Sequence, residues 1–245
     1  MYGWNYFEEG LNMSVLSDVR LLEKIYDKEL KIEPFVFDNI QPSSIDLTLD
    51  NRIRTPKSGI ELNAFNADIK ECFEERILDE YTLKPGDFII GQVKENIGLS
   101  KRMTGLIQNR NSLIRLGINV GLSSYINPGY FGQLPIVIHN LGSFSVDLVP
   151  GMRICQLIIF DVEPDPERDY SQRKDAKYLG ESDVGLSKLY MDVEIGEYLK
   201  EYNKKSTKEI DKKELIDFLE QRIKAKAIDA LKGLTNEEKQ KIGLL

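Results

Sequence analysis

Residues 105–156 read GLIQNRNSLIRLGINVGLSSYINPGYFGQLPIVIHNLGSFSVDLVPGMRICQ, and this stretch decides the fold. Short apolar runs follow one another, and turns separate them at Gly117, Pro128-Gly129 and Pro150-Gly151. Short strands punctuated in this way by Gly and Pro are typical of a β-sandwich or a β-barrel. The stretch therefore predicts a mainly β domain.

Two polar segments interrupt these strands. Residues 108–117 hold two arginines, two asparagines and a serine, and residues 123–132 hold two serines, two tyrosines and an asparagine. Arginine donates a bidentate fork to phosphate oxygens, and hydroxyl groups and backbone N–H groups fill the remaining lone pairs. The alternative is a pair of polar β-turns. The candidate site residues of these two segments are Arg110, Asn111, Ser112, Arg115, Ser123, Asn127 and Tyr130.

The residues before this region predict one helix and one strand. Ser17 is a good N-cap, and apolar residues at helical spacing predict a helix over about 18–28. Within residues 40–54, apolar and polar residues alternate, which predicts a strand with one buried face. The apolar positions are Ile45, Leu47 and Leu49, and the intervening Asp46 is expected on the solvated face.

The residues after this region change character twice. Residues 164–192 are polar and predict a loop or arm, whereas 211–231 and 235–243 each begin with a capping box and predict two helices. The predicted organisation is an N-terminal extension over 1–13, a β domain over 14–192 that includes the arm, and a helical C-terminal appendage over 193–245.

Composition excludes several classes of function. The formal net charge is −7, which disfavours binding to a nucleic-acid polymer. One histidine, His139, and two cysteines, Cys72 and Cys155, cannot assemble an ordinary zinc site. The N-terminus lacks a basic secretory leader, and no apolar run reaches membrane-spanning length, so we expect a cytoplasmic protein. Mg²⁺ brought by a phosphate ligand remains open.

Six motifs in order resemble the dCTP deaminase branch of the dUTPase superfamily, over roughly residues 14–192. IQPSSIDLTLD is similar to the family's QPxSxDL strand, LKPGDFIIG to LxPGEF, and QNRNSLIRLGI to GRSSLxRLG. INPGYFG is similar to IDPGYxG, LVPGMRICQL to PGMxIxQL, and DAKYLGESDVGLSKLY to DAKYxGQxGxxxS. Six matches at similar spacing make the resemblance specific.

The resemblance implies a distorted β-barrel or jelly roll of the dUTPase-like type that assembles as a homotrimer. Its sites lie between subunits, and an arm covers a pyrimidine deoxynucleoside triphosphate. Carried over by motif, Arg110 and Ser112 contact phosphates, Arg115 lies near the reacting water and base, and Tyr130 packs on the deoxyribose. Gln156 lies in the pocket wall, and Tyr170 and Lys177 reach the triphosphate from the arm. Arg115 and Asn127 are the candidate catalytic residues.

This sequence departs from the family pattern at the positions of the family's catalytic residues. The deaminase glutamate aligns with Val137, which cannot transfer protons. The aspartate of IDPGY is Asn127, which cannot take a proton from water. The first serine of GRSS is Asn111, its glycine is Asn109, and the arm glutamine is Glu181.

Three functions therefore stay open. The first is a hydrolase that deaminates dCTP or cleaves dUTP to dUMP. The second is a catalytically degenerate protein that binds a nucleotide in order to sequester or sense it. The third is an interaction scaffold that acts through its C-terminal helices. The retained arginines and tyrosines favour the first two over the third.

Overall fold

The computed structural model describes residues 14–62, 69–121, 125–204, 216–217, 219–221, 224 and 240. The chain divides into two compact units, residues 1–61 with 68–186 and residues 62–67 with 187–245. The predicted extension over 1–13 lies outside the described residues, as does most of the two helices predicted after residue 210. The described residues from 216 to 240 are helical.

Thirteen strands occur among the described residues of the first unit, and they confirm the predicted mainly β fold. They are β1 (Leu30–Glu33), β2 (Ile40–Gln41), β3 (Ser44–Thr48), β4 (Arg52–Pro56), β5 (Phe73–Ile77), β6 (Tyr81–Leu83), β7 (Phe88–Leu99), β8 (Met103–Asn109), β9 (Ile118–Val120), β10 (Tyr125–Ile126), β11 (Phe131–Asn140), β12 (Val146–Leu148) and β13 (Arg153–Asp161).

The strands form antiparallel sheets. The six-stranded sheet has the order β5-β4-β7-β11-β9, with β1 also paired to β7. The five-stranded sheet has the order β10-β8-β13-β3-β2, and β12 pairs with β6 in a small third sheet. A bridge between Leu49 and Val93 joins the chain just after β3 to β7, so the two large sheets meet at this point.

The core lies between residues that alternate along these strands. Along β11, every second side chain is buried, and β7 alternates in the same way over most of its length. Since successive strand residues point to opposite faces, one face of each strand enters the core. Fully buried examples from both large sheets are Leu47, Ile89, Ile97, Ile138, Leu157 and Ile159.

Three α-helices occur among the described residues. The first, α1 (Asp18–Tyr26), matches the prediction, and the Ser17 hydroxyl accepts a 3.4 Å hydrogen bond from the Arg20 N–H. The second, α2 (Asn111–Ile114), is a single turn between β8 and β9. The third, α3 (Val193–Lys204), belongs to the second unit. None of the described helices combines the length and apolar character needed to span a bilayer.

Candidate functional site

The single turn α2 presents the first polar segment. Leu113 is buried and anchors the turn, whereas Asn111, Ser112 and Arg115 are exposed. Asn109 holds the following strand in place, because its Oδ1 accepts a 2.6 Å hydrogen bond from the Val120 N–H. The turn α2 therefore presents an amide, a hydroxyl and a guanidinium group to solvent from a backbone that Leu113 and Asn109 hold in place.

Arg110, directly before this turn, folds back onto a buried carboxylate. Asp46 is only 2% exposed, although the alternating pattern of β3 predicted it on the solvated face. Its Oδ2 lies 3.4 Å from Nη2 of Arg110 and 3.2 Å from Nη1 of Arg153, and its Oδ1 accepts a 3.2 Å bond from Nε2 of Gln156. We call Asp46, Arg110, Arg153 and Gln156 the Asp46 cluster. The prediction for Asp46 was wrong, since long-range partners compensate its burial.

A second carboxylate lies in the core beside this cluster. Glu95 on β7 is 2% exposed, and its carboxylate accepts hydrogen bonds from the Thr48 N–H at 3.0 Å and the Thr48 hydroxyl at 2.7 Å. Burial raises the pKa of Glu95 above its ordinary value, and the bonds from Thr48 counter only part of that rise. Burial likewise raises the pKa of the neighbouring Cys155 thiol, and the charges of Glu95 and Asp46 add to the effect.

The second polar segment ends in a tight turn on which the arm packs. The Tyr130 N–H donates to the Asn127 carbonyl at 3.1 Å, and the Tyr170 N–H donates to the Pro128 carbonyl at 2.7 Å. The rings of Tyr130 and Tyr170 lie 6.3 Å apart, and Tyr130 is 5% exposed. Burial raises the pKa of Tyr130 strongly, with smaller contributions from Glu181 and Tyr170. We call Asn127, Tyr130 and Tyr170 the tyrosine cluster.

Further along the arm, backbone bonds fix it to the edge of β11. The Gly180 N–H donates to the Phe131 carbonyl at 2.8 Å, and the Gln133 N–H donates to the Glu181 carbonyl at 2.7 Å. Lys177 lies with its Nζ 5.8 Å from the ring centroid of Tyr178, which is within cation–π range. Lys177 of the predicted arm therefore contacts a neighbouring residue of the arm itself, Tyr178.

Two arginines of β4 clamp the arm after Glu181. Arg52 donates to the Ser182 carbonyl at 2.6 Å and lies 3.4 Å from Asp183, and Arg54 lies 3.2 Å from the other oxygen of Asp183. Arg54 is 5% exposed and also pairs with Glu75 at 2.9 Å. Composition alone did not mark these arginines, because their partner lies some 130 residues away in the chain.

Val137, at the position of the family's glutamate, lies on the outer face of β11. It is 45% exposed, pairs in register with Ile90, and shares its face with Pro135 and His139. His139 in turn lies against the Phe88 ring at a centroid distance of 6.0 Å. Among the described residues, the strand positions next to Val137 on this face therefore offer no carboxylate in its place.

The structure divides the predicted site residues into two groups. Arg110 and Gln156 meet in the Asp46 cluster, and Asn127, Tyr130 and Tyr170 meet in the tyrosine cluster. Ile126 pairs with Gly105, five residues before Arg110 along β8, which corresponds to about 17 Å at about 3.4 Å per residue. Ser123 lies outside the described residues. The two clusters therefore lie near opposite ends of β8, and we call them the candidate half-sites.

Several residues of these half-sites were missed at the sequence level. Arg153 lies within the LVPGMRICQL motif but carries no signal of its own there, and the alternating pattern around Asp46 predicts a surface position. No group of three or more His, Cys, Asp or Glu side chains arranged to hold a metal ion occurs in the described part of the chain.

Comparison with known proteins gives consistent matches. The family model described as dCTP deaminase-like matches residues 15–162. A dUMP-forming dCTP deaminase from Nanoarchaeum equitans is 34% identical over 197 residues, which cover 73% of this chain and 98% of the relative. A dUMP-forming dCTP deaminase from Persephonella marina is 32% identical over 181 residues, with 73% and 98% covered. A solved structure of 2′-deoxycytidine 5′-triphosphate deaminase from Agrobacterium tumefaciens is 24% identical with a TM-score of 0.49, and the match covers 60% of this chain and 48% of that one.

Proposed function

Because this chain belongs to the dCTP deaminase-like family, we propose that it binds a pyrimidine deoxynucleoside triphosphate at homotrimer interfaces without glutamate-dependent deamination. The ligand class follows from the relatives, which are dCTP deaminases. The positions of Arg110 and Val137 decide which parts of that activity the chain keeps.

The separation of the two half-sites carries the proposal of intersubunit binding. The Asp46 cluster lies at one end of β8, and the tyrosine cluster lies at the other end. A site that uses both clusters is completed when the Asp46 cluster of one chain meets the tyrosine cluster of another. Rotational assembly of identical chains repeats that junction at every interface.

Exposed apolar side chains support the assembly. Gly117 and Gly142 touch through their backbones, and the Leu141 N–H donates to the Gly117 carbonyl at 2.8 Å. Leu116 and Leu141, the neighbours of these glycines, are 42% and 60% exposed. A second chain in the proposed homotrimer would remove these two apolar side chains from water.

The chemistry of each half-site fits one part of the nucleotide. Arg110 with Asn111 and Ser112 supplies a cation and small polar donors to the phosphates. Asn127 hydrogen-bonds the sugar hydroxyl, and the Tyr130 ring packs on the deoxyribose. Tyr130 is 5% exposed and its ring lies 6.3 Å from that of Tyr170, so packing of the sugar on Tyr130 requires neighbouring groups such as Tyr170 to move.

Mg²⁺ enters this proposal only as a companion of the triphosphate. The Asp46 oxygens already accept hydrogen bonds from Arg153 and Gln156 and form an ion pair with Arg110, so they are poorly placed to ligate a cation. The phosphate oxygens would hold the ion and spread its charge, and the arginines would bind the remaining negative charge.

Loss of deamination follows from Val137. Deamination at C4 requires a group that moves protons between water and the amino group, and such a group contributes about two to four orders of magnitude in rate. Valine carries no titratable atom, and the neighbouring outer-face residues Ile90 and Pro135 carry none either. The imidazole of His139, on the same face, packs edge-on against the Phe88 ring.

We also propose a cytoplasmic location. Cys72 and Cys155 are free thiols, which agrees with a reducing compartment, and free deoxynucleotides are cytoplasmic metabolites.

The test is to incubate the purified full-length chain with dCTP, dUTP, dTTP and ATP, each with Mg²⁺. Binding is measured by calorimetry, and the nucleotide is recovered by denaturation and identified by chromatography. We expect pyrimidine deoxynucleotides to bind and to return unchanged, and we expect Arg110→Ala to weaken binding by about 1.5–3 kcal/mol. The control is Arg20→Ala, because Arg20 lies exposed on α1, where it pairs with Glu23.

Each other outcome points to a different function. Conversion of dCTP or dUTP to a new product would overturn the non-catalytic part and establish a hydrolase. Absence of binding to every nucleotide would overturn the whole proposal and favour a scaffold that acts through the C-terminal helices. Sedimentation of the chain as a monomer would remove the intersubunit site.

A further inference from the structure

Arg153 lies beside Arg110 at the phosphate half-site. It begins β13, and its side chain is 45% exposed. Its Nη1 and the Nη2 of Arg110 lie 3.2 and 3.4 Å from the same oxygen, Oδ2 of Asp46. Nη1 of Arg110 also donates to the Arg153 carbonyl at 3.1 Å. The two guanidinium groups are therefore held side by side on one acceptor.

The charges of this cluster do not balance. Two guanidinium groups share one carboxylate, and Gln156, which takes the second oxygen, is neutral. The cluster therefore carries one excess positive charge. The group at β4 is balanced, because Arg52 and Arg54 pair with two carboxylates, those of Glu75 and Asp183.

An ion pair that served folding alone would need only one of these arginines. The Asp46 carboxylate neutralises only one of the two guanidinium charges, so the cluster keeps a positive charge that a further anion can neutralise. Each guanidinium has five N–H donors, and few of them are used within the cluster. The side chains of Arg110 and Arg153 are 25% and 45% exposed, so both reach solvent.

We propose that Arg153 is a second phosphate-binding arginine, which Asp46 holds parallel to Arg110 so that the pair binds a polyphosphate chain. The inference rests on the proposed nucleotide binding and adds that the number of phosphates is recognised. Two neighbouring forks engage two phosphoryl groups, whereas a monophosphate can fill only one of them. Asp46 acts as the positioning residue, because its buried carboxylate fixes both guanidinium groups without touching the ligand.

The experiment compares wild type, Arg153→Gln and Arg153→Lys by calorimetry with dCTP, dCDP, dCMP and inorganic tripolyphosphate. We expect Arg153→Gln to weaken dCTP and tripolyphosphate binding by about 10- to 150-fold, the range for a hydrogen bond to a charged group. The effect on dCMP should be much smaller. Arg153→Lys keeps the positive charge but loses the two parallel N–H donors of the guanidinium group, so its loss of affinity should lie between those of wild type and Arg153→Gln.

The matched control is Arg20→Gln, which removes an exposed arginine and its single carboxylate pair on α1 and should leave all four affinities unchanged. If wild type binds dCTP and Arg153→Gln binds it equally well, the inference fails while the proposed function stands. Equal losses for dCTP and dCMP would also overturn it, since they would indicate a general structural role. If wild type binds none of the four ligands, the proposed function fails and the inference falls with it. Should Arg153→Gln not fold, the phosphate-number dependence of Arg153→Lys decides in its place.

Discussion

Substituting Gly117 with alanine should destabilise the protein more than the same change at Gly86. Gly117 has a φ of +79°, and a Cβ placed there would lie 2.5 Å from the Cα of Gly142 and 2.6 Å from its nitrogen. Gly86 has nearly the same φ, +80°, yet nothing lies within 4 Å of the Cβ it would gain. The two glycines share one backbone conformation and differ in their surroundings.

The magnitude follows from two separate costs. A side chain at positive φ costs about 1–2 kcal/mol, which applies to both substitutions. At Gly117 the backbone of Gly142 must also move, and overpacking of this kind adds about 1–3 kcal/mol. We therefore expect Gly86→Ala to lose about 1–2 kcal/mol of unfolding free energy and Gly117→Ala about 2–5 kcal/mol.

Urea unfolding at equal protomer concentration, monitored by far-UV circular dichroism, measures both changes. The free-energy difference corresponds to a lower midpoint of thermal unfolding for Gly117→Ala, by about 2–4 °C for each kcal/mol. Equal losses for the two variants would refute the reasoning, because the contact between Gly117 and Gly142 would then contribute nothing. Nucleotide affinity is expected to fall with Gly117→Ala as well, since this contact supports α2.

Two further predictions concern a buried carboxylate and the arm. The folded state holds the proton of Glu95 more tightly than the unfolded state does, so Glu95 favours folding below its ordinary pKa of 4.5 and loses this contribution as pH rises through the raised value. The unfolding free energy of Glu95→Gln, measured with urea, should therefore rise relative to that of wild type as the pH increases from 4 to 8. A difference between the two proteins that does not change with pH would contradict this. Asp183→Asn removes the ion pairs that Asp183 forms with Arg52 and Arg54. Because the Asp183 side chain is 53% exposed, we expect the attachment of the arm to lose about 1 kcal/mol of free energy. This loss corresponds to about fivefold faster tryptic cleavage of the arm. Cleavage at the wild-type rate would show that backbone hydrogen bonds alone hold the arm.

The regular parts of the fold could be predicted because local pattern and burial agree there. The helix predicted over about 18–28 is α1, although Val19 and Tyr26 of its predicted apolar face stay 61% and 87% exposed. The single strand predicted within 40–54 is divided among β2, β3 and β4, and both faces of β3 are buried. The predicted mainly β architecture is confirmed, and along β11 the buried residues recur with the strand period of two.

Asp46 shows where this reasoning ends. Asp46 lies between Ile45 and Leu47, and an acidic residue between two apolar strand residues indicates a solvated face when only local spacing is considered. Its burial depends on Arg110 and Arg153, which approach from other strands, and Arg153 is 107 residues away in the sequence. Local sequence spacing carries no information about such a distant partner. A charged side chain can nevertheless be buried only where an oppositely charged or hydrogen-bonding partner is present.

The candidate site could be predicted as a set of residues but not as an arrangement. The motifs named Arg110, Asn127, Tyr130, Gln156 and Tyr170, and nothing in their spacing shows that β8 separates them into two clusters. Nor does the spacing show that Tyr170 lies on Tyr130 while the arm is fixed along β11. Under the proposed function the deoxyribose packs on the Tyr130 ring, which Tyr170 of the arm already neighbours. The proposal therefore predicts that nucleotide binding and arm position are coupled, so a change that loosens the arm should alter affinity even when it touches no ligand.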